Sequence, residues 1–367
     1  MSLSLQRPAP EAEPPIRVML CDDSLVIRGA IGRMLEQEPG IVVAARVSNG
    51  QLAIDEVRRA VAVQPFDVLV LDIEMPVMDG LAALPALLRA DPQLRVIMAS
   101  TLTTRGADIA LRALRLGAAD YIPKPGAAEI ANDSFRRELV AKIRGLARLR
   151  RRRAGAPALL RRPQAAPPAA LRPRPARRPR LLAVGSSTGG PQALFALVQG
   201  LGPAIQLPVV ITQHMPPTFT KILAEHIDKL GIRPCTEVRD GDVLEAGHIY
   251  LAPGDHHLLV NANGETLRAK LTRDPPENFC RPSVDPMLRS AAAACDGRVL
   301  VVMLTGMGHD GLAGTRQVVE AGGAAIAQDE ATSVVWGMPG AIALAGLCHA
   351  VLPLPEIGPK VLEMVRA

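Results

Sequence analysis

The chain has few aromatic side chains and no long apolar run. Trp, Tyr and Phe together make up only 2% of its 367 residues, whereas apolar residues make up 48%. Any core must therefore be built from aliphatic side chains, and Val/Leu/Ile/Ala-rich runs are typical of strands buried on both faces of a parallel sheet. Since no apolar run reaches the roughly 18–20 residues that a membrane span needs, we expect no membrane insertion.

Cysteine is also scarce, and no two cysteines form a CxxC pair. That spacing argues against a zinc site or a disulfide framework and fits a reducing cytoplasm, where we expect the protein to lie. Residues 1–15 lack the basic-then-apolar pattern of a signal peptide, and we expect a disordered leader there. The five cysteines are Cys21, Cys235, Cys280, Cys295 and Cys348.

The excess of positive charge comes from one segment. Residues 139–180 contain thirteen Arg, one Lys and no acidic residue, which gives +14. The whole chain carries +6, so the remainder carries −8 and is mildly acidic. The end of this segment is rich in Pro, Arg and Ala without periodicity, which predicts an extended, semi-stiff linker.

Two stretches of alternating strands and helices flank the basic segment. We predict a first domain over residues 16–140, a linker over 141–179 and a second domain over 180–367. Short apolar strands that alternate with helices indicate a doubly wound parallel sheet in each domain. Functional residues in such sheets lie at the carboxyl ends of the strands.

Acidic residues and one lysine follow the strands of the first domain. Asp22 and Asp23 end the first strand, Asp72 ends the third, and Lys124 follows the fifth. Three carboxylates at one sheet edge repel one another unless a cation lies among them, and oxygen ligands favour Mg²⁺. This pattern predicts metal-assisted phosphorylation, with Asp72 as the nucleophile and Lys124 neutralising charge on the phosphoryl oxygens.

With these residues in order, the first domain resembles the flavodoxin-like receiver domains of response regulators. Asp72 lies within LDIEMPVMDG, and Tyr121 and Lys124 lie within YIPKP. The resemblance implies that Asp22, Asp23 and Asp72 hold Mg²⁺, that Asp72 is phosphorylated by a histidine kinase, and that Ser100 and Tyr121 form the switch.

Three motifs of the second domain also follow predicted strands. Ser187 lies in GSSTGG before a helix that begins with proline, His214 ends LPVVITQH, and Asp310 lies in LTGMGHDG. A hydroxyl, an imidazole and a carboxylate at one sheet edge are the members of an acyl-transfer triad. The order Ser…His…Asp differs from that of the α/β-hydrolases, and GxSxG is absent from this turn.

The second domain resembles the Rossmann-like catalytic domain of chemotaxis protein-glutamate methylesterases. The stretches that carry the resemblance include GSSTGG, ITQHMPP, YLAPGDHH, RPSVDPM and LTGMGHDG. It implies Ser187 as nucleophile, His214 as general base and Asp310 as the residue that orients His214, with no cofactor for the esterase. The implied substrates are glutamate γ-methyl esters, and also certain glutamines, on the cytoplasmic part of chemoreceptors. Ser186 stands where the family usually has alanine.

Two other functions remain open from the sequence. The basic segment suits a DNA-binding response regulator, although a second domain with α/β alternation is not a compact helix-turn-helix, so nucleic acid is not the expected partner. A receiver could also be fused to an esterase that serves a system other than flagellar chemotaxis.

Overall fold

A computed structural model describes residues 14–101, 103–124, 133–153, 171–173 and 177–366. Nearly all of the predicted leader and the linker residues 154–170 and 174–176 lie outside the described residues. Within the described part of the chain, no helix combines the length and the apolar character that a membrane span requires.

The first domain is a five-stranded parallel sheet with strand order β2-β1-β3-β4-β5. The predicted strands are all present, so the expectation of a flavodoxin-like sheet is confirmed. The order reverses between β1 and β3, which places the ends of these two strands at the switch point where α/β sheets bind ligands. The elements are β1 Ile16–Cys21, α1 Leu25–Glu36, β2 Ile41–Val47, α2 Gly50–Ala60, β3 Val68–Asp72, α3 Gly80–Ala90, β4 Arg95–Ser100, α4 Thr104–Arg115, β5 Asp120–Pro123 and α5 Asp133–Arg153.

Short polar residues start the helices of this domain directly after the strand-end loops. The side chains of Ser24, Asn49, Asp79 and Thr103 each accept a hydrogen bond from a backbone N–H in the first turn of α1 to α4. Such caps satisfy donors that would otherwise lack a partner. They fix where each helix starts and therefore how the loops at the functional edge are shaped.

The second domain contains a seven-stranded sheet with strand order β14-β13-β12-β6-β7-β9-β8, and every pairing in it is parallel. The sheet grows outward in both directions from β6 and β12, so the switch point lies between these two strands. The elements are β6 Leu181–Ser186, α6 Gly190–Leu201, β7 Val209–Gln213, α7 Pro217–Asp228, β8 Cys235–Glu237, β9 Ile249–Leu251, β10 His257–Asn263, β11 Thr266–Thr272, α8 Val284–Ala294, β12 Val299–Met303, α9 Leu312–Glu320, β13 Ala324–Gln328, α10 Met338–Leu344, β14 Ala350–Leu352 and α11 Leu354–Arg366.

The doubly wound class is confirmed for the second domain, but four of its strands were not predicted. Strands β8 and β14 have three residues each and form the two edges of the sheet, too short for a periodic pattern. Strands β10 and β11 form a separate antiparallel hairpin. The two central residues of its turn are Gly264 and Glu265, with Gly264 at φ 59°, and a glycine at the first central position is typical of a type II′ hairpin turn.

The predicted boundary at residue 140 falls inside α5, which continues to Arg153 and packs against β1, β3 and β4. Part of the basic segment is therefore receiver structure and not linker. Buried Arg150 donates to Asp91 at 2.8 Å, and Arg151 donates to both carboxylate oxygens of Asp67 at 3.2 and 2.9 Å. Clustered arginines look alike in sequence, whether they face solvent or pair with distant acids.

We predict that Arg150→Gln destabilises the first domain by about 3 kcal/mol, because it leaves the buried carboxylate of Asp91 without its ionic partner. Arg59→Gln is the matched control, since Arg59 pairs with Glu56 at the surface and the change should cost at most about 0.5 kcal/mol. Denaturant unfolding followed by circular dichroism measures both. Equal midpoints for the two variants would contradict the structural role of Arg150.

Candidate active site

The turn between β6 and α6 places two adjacent serines in different surroundings. Ser186 is fully buried, and its hydroxyl donates to Oε1 of Gln213 at 2.6 Å. Ser187 is partly exposed and lines a cleft, and its carbonyl accepts a hydrogen bond from Nε2 of Gln213 at 3.0 Å. Of these two adjacent serines, only Ser187 lines the cleft.

His214 and Asp310 form a buried pair at the ends of β7 and β12. His214 follows β7, and its Nε2 lies 2.7 Å from Oδ2 of Asp310. Because Nε2 is held by the carboxylate, Nδ1 is the ring nitrogen left for proton exchange in the cleft. The sulfur of Cys280 lies 3.4 Å from this Nδ1.

Asp310 is held by further donors besides His214. Its Oδ1 accepts from the Ser283 hydroxyl at 2.7 Å and from the Asn278 amide at 2.8 Å, and its Oδ2 accepts from the backbone N–H of Val284 at 2.6 Å. Hydrogen bonds to the charged form lower the pKa of a carboxylic acid. Burial opposes ionisation of Asp310, but these donors and His214 outweigh it and hold its pKa well below the usual value.

The pKa of His214 moves in the opposite direction. Burial disfavours the imidazolium, but the hydrogen bonds to Asp310 and Cys280 outweigh that effect and raise the pKa to about 10. The shift favours the imidazolium form of His214 while the side chain is paired with Asp310. The folded-state pKa lies above the unfolded value, so the pair stabilises the fold below about pH 6.5. That contribution is lost as pH rises through about 10.

Ser187, His214 and Asp310 line one cleft of about 570 Å³, and part of its wall comes from the first domain. On that side, the buried Lys142 ammonium lies 2.6 Å from Asp120 Oδ2, and the same oxygen accepts from the backbone N–H of Gly189 at 3.1 Å. A carboxylate of the first domain thus lies at the start of α6, directly beside Ser187. The cleft is lined by Asp120, Tyr121, Arg137, Glu138, Lys142, Ser187, Thr188, Gln213, His214, Asn278, Phe279, Cys280, Met307, Gly308, His309 and Asp310.

Other contacts fasten the two domains together around this cleft. The ring of Tyr121 stacks on Phe219 of α7, with centroids 4.8 Å apart. His226 of the same helix lies 3.0 Å from Asp108 of α4. Arg148 of α5 pairs with Glu330 at 2.9 Å. Tyr121, predicted as a switch residue, is thus buried against the second domain in this arrangement.

The predicted phosphorylation residues converge at the switch point of the first sheet. Ligand oxygens of Asp22, Asp23 and Asp72 all lie within 4.8 Å of one another. Lys124 Nζ lies 2.6 Å from Oδ2 of Asp72 and 3.1 Å from that of Asp22. Burial raises the pKa of Asp72 to about 6, despite the opposing effect of Lys124. Ser100, at the end of β4, is buried and donates to the Thr101 carbonyl at 3.2 Å.

Sequence reasoning did not single out four residues of this site. Ser283 and Asn278 hold Asp310, and Asp120 and Lys142 reach across from the first domain. Ser283 lies in the RPSVDPM stretch and Asn278 lies just before it. This stretch contributed to the family resemblance, but it did not indicate what these two residues do. Asp120 and Lys142 gave no signal, because contacts between domains leave no periodic pattern.

Comparison with known proteins agrees with this geometry. Residues 182–361 match the CheB methylesterase family, and residues 18–133 match the response regulator receiver domain. A protein-glutamate methylesterase/protein-glutamine glutaminase of a group 2 operon, from Rhodospirillum centenum, is 55% identical over 94% of this chain and 93% of that protein. The chain belongs to the CheB methylesterase family.

Two further relatives cover the whole chain and its second half. A protein-glutamate methylesterase/protein-glutamine glutaminase 1 from Paramagnetospirillum magneticum is 51% identical over 99% of both chains. The Thermotoga maritima CheB methylesterase catalytic domain, known from a crystal structure, is 38% identical in sequence to this chain, and the two structures superpose with a TM-score of 0.50. It covers 51% of this chain and 99% of that one. Both domains of this methylesterase family member therefore have known counterparts.

We predict that His214 stays protonated between pH 6 and 9 in the unphosphorylated chain, because Asp310 and Cys280 stabilise its imidazolium. NMR titration of the histidine ring protons measures this, with His248 as internal control because burial lowers its pKa. In Asp310→Asn the titration of His214 should move to lower pH and that of His248 should not. A His214 midpoint near 6.5 in the unsubstituted protein would contradict the raised value.

Proposed function

We propose that this chain hydrolyses glutamate γ-methyl esters on the cytoplasmic part of chemoreceptors and deamidates specific glutamines there. The relatives named above carry both activities in their names. The observation that carries the proposal is the cleft in which the partly exposed Ser187 lies with the His214–Asp310 pair. The substrate would place the chain in the cytoplasm, where its five free thiols stay reduced.

In the proposed reaction, Ser187 Oγ attacks the ester carbonyl and its proton passes to Nδ1 of neutral His214. The oxyanion forms beside the start of α6, where backbone N–H groups favour negative charge. The C–O bond then breaks, His214 gives the proton to the departing methanol, and Ser187 is left acylated. Water then attacks this acyl group with His214 again as base. The C–O bond to Ser187 breaks, His214 returns the proton to Ser187 Oγ, and the glutamate carboxylate is released. With glutamine the departing group is ammonia.

Asp310 would orient His214 and stabilise the imidazolium that forms in each step. Its own position is fixed by Ser283, Asn278 and backbone donors.

The position of the first domain gives a reason to expect low activity in the docked arrangement, and we assign this domain the role of inhibitor. Asp120 accepts from Gly189 N–H, which places a carboxylate where negative charge develops during the reaction. Lys142 holds that carboxylate in place; burial disfavours its ammonium, but Asp120 and Glu138 outweigh this effect and raise its pKa. A receiver that forms one wall of the cleft would also hinder the approach of a receptor helix to Ser187.

Phosphorylation of Asp72 by a histidine kinase would release this inhibition. Asp22, Asp23 and Asp72 fit a Mg²⁺ ion because their carboxylate oxygens converge. Lys124 neutralises only part of their negative charge, so the site still favours a cation. When bound, Mg²⁺ neutralises charge on the transferring phosphoryl group. Tyr121 and Asp120 lie on β5, which pairs with β4 next to Asp72, so a shift at this edge reaches both interface contacts directly.

The DNA-binding alternative has no support in the second domain, which is an α/β sheet with a catalytic cleft. Arg150 and Arg151 are engaged inside the first domain and are not available to contact phosphates. An esterase serving a pathway other than flagellar motility would use the same residues, and the receptor supplied in the assay decides between the two.

We predict that Ser187→Ala reduces ester hydrolysis by at least about 10³-fold, because only binding and backbone donors remain to assist water. Ser186→Ala, the adjacent control, should keep most of the activity, since that hydroxyl is buried against Gln213. Release of labelled methanol from methylated receptors measures both. The assignment is wrong if Ser186→Ala is the inactive variant.

A second prediction concerns Gly145 of α5, where a methyl group would lie 2.0 Å from the Val334 carbonyl oxygen of the second domain. Gly145→Ala should therefore weaken docking, while alanine favours the helix itself. We expect basal activity without phosphodonor to rise about tenfold, which corresponds to 1.4 kcal/mol against docking, and stimulation by phosphodonor to shrink accordingly.

Gly29→Ala is the control for Gly145→Ala, because a methyl group at Gly29 of α1 lies 3.5 Å from the nearest atom, the flexible end of Arg33. It should leave both basal and stimulated rates unchanged. Asp72→Asn should keep basal activity and ignore the phosphodonor. Unchanged basal activity in Gly145→Ala would refute inhibition by the docked receiver.

A further inference from the structure

The turn at residues 277–280 presents a fully exposed phenylalanine at the rim of the catalytic cleft. Phe279 lines the same cleft as Ser187 and His214, and its side chain is completely accessible even with the first domain docked. Partly exposed Met307 also lines this cleft. Exposed apolar side chains at the rim of an active site are typical of contacts to a partner molecule.

Phe279 has a left-handed backbone conformation, which glycine usually adopts in proteins. Asn278 and Phe279 have φ of 52° and 63°, and the backbone groups of Glu277 and Cys280 on either side exchange hydrogen bonds at 3.1 and 3.0 Å. In a two-residue turn with both central residues left-handed, Asn suits the first position and Gly the second. A large aromatic residue here is unfavourable for the free protein both in backbone conformation and in exposure.

The other residues of the turn are fixed to the catalytic apparatus. Glu277 forms two 2.6 Å contacts with Arg289 of α8, and the Asn278 amide donates to Asp310 and Asp285. Cys280 contacts Nδ1 of His214 at 3.4 Å. The turn is thus held rigidly with respect to His214 and Asp310, and Phe279 is the one member of the turn that projects away from them.

We propose that Phe279, together with Met307 of the same cleft, is a substrate-recognition residue that packs against an apolar side chain of the substrate protein next to the esterified glutamate. This inference rests on the proposed methylesterase function. On a helical substrate, residues three or four positions from the glutamate lie on the same face, so an apolar residue at one of these positions is the one Phe279 contacts. Because Phe279 does not touch the docked receiver, it selects the substrate independently of phosphorylation.

The test compares two helical peptides that carry a radiolabelled glutamate methyl ester and differ only by Leu or Ala at the positions three and four residues away. With phosphodonor present, the unsubstituted enzyme should show KM about tenfold lower for the Leu peptide, as expected for burial of leucine side chains against an aromatic ring. In Phe279→Asn, which suits the left-handed backbone, this preference should fall below twofold. Phe279→Leu should restore part of it.

Two controls separate recognition from other roles. Leu344→Asn removes another exposed apolar side chain of the second domain that does not line the cleft, and it should keep the tenfold preference. N-acetylglutamate γ-methyl ester, which lacks the neighbouring residues, should be hydrolysed at similar rates by the unsubstituted enzyme and Phe279→Asn. The ratio of rates with and without phosphodonor should also be the same for both.

Each outcome decides a different point. Equal KM values for the two peptides with the unsubstituted enzyme, or a preference that persists in Phe279→Asn, would overturn the recognition role while leaving methylesterase activity intact. A changed phosphodonor ratio in Phe279→Asn would assign the residue to receiver control instead and also overturn it. Failure to hydrolyse any of the three esters would refute the proposed function itself.

Discussion

The Asp310 carboxylate holds together the segments that form the active site. Its donors come from the end of β7 through His214, from the turn at 277–280 through Asn278, and from the start of α8 through Ser283 and Val284. A buried carboxylate is tolerable only when it is fully hydrogen-bonded, so these segments must be in place together. The position of the imidazole, the rim of the cleft and the start of α8 are therefore coupled through one side chain.

Parallel-sheet topology explains why so much of this arrangement was accessible from the sequence. Asp22, Asp72, Ser187 and His214 each follow a strand whose apolar run is evident, and carboxyl ends of parallel strands meet at one edge. The convergence of Ser187, His214 and Asp310 in one cleft needed only the strand assignments and the parallel orientation. Their roles in catalysis remain predictions.

What sequence did not indicate was long-range packing. The three-residue strands β8 and β14 pair only because longer neighbours offer them an edge. In the sequence, Arg150 and Arg151 fall within the predicted linker. In the structure they donate hydrogen bonds to Asp91 and Asp67, some sixty to eighty residues earlier in the chain, and are part of the first domain. Likewise, nothing near Asp120 in the chain indicates that its oxygen meets Gly189.

The contact between Asp120 and Gly189 links the two domains and can be broken at low cost, as reversible inhibition would require. The carboxylate is neutralised by Lys142 within its own domain, so undocking leaves an ion pair and not an isolated buried charge. At Gly189, undocking removes one hydrogen bond, which water or substrate can replace. Docking therefore rests on many modest contacts, such as Tyr121 on Phe219 and Arg148 with Glu330. Under the proposed regulation, a small bias from phosphorylated Asp72 would be enough to shift the docking equilibrium. Because β5 carries both Asp120 and Tyr121, a displacement of this one strand on phosphorylation would alter the polar and the aromatic contact together, and the proposed coupling would need no longer pathway.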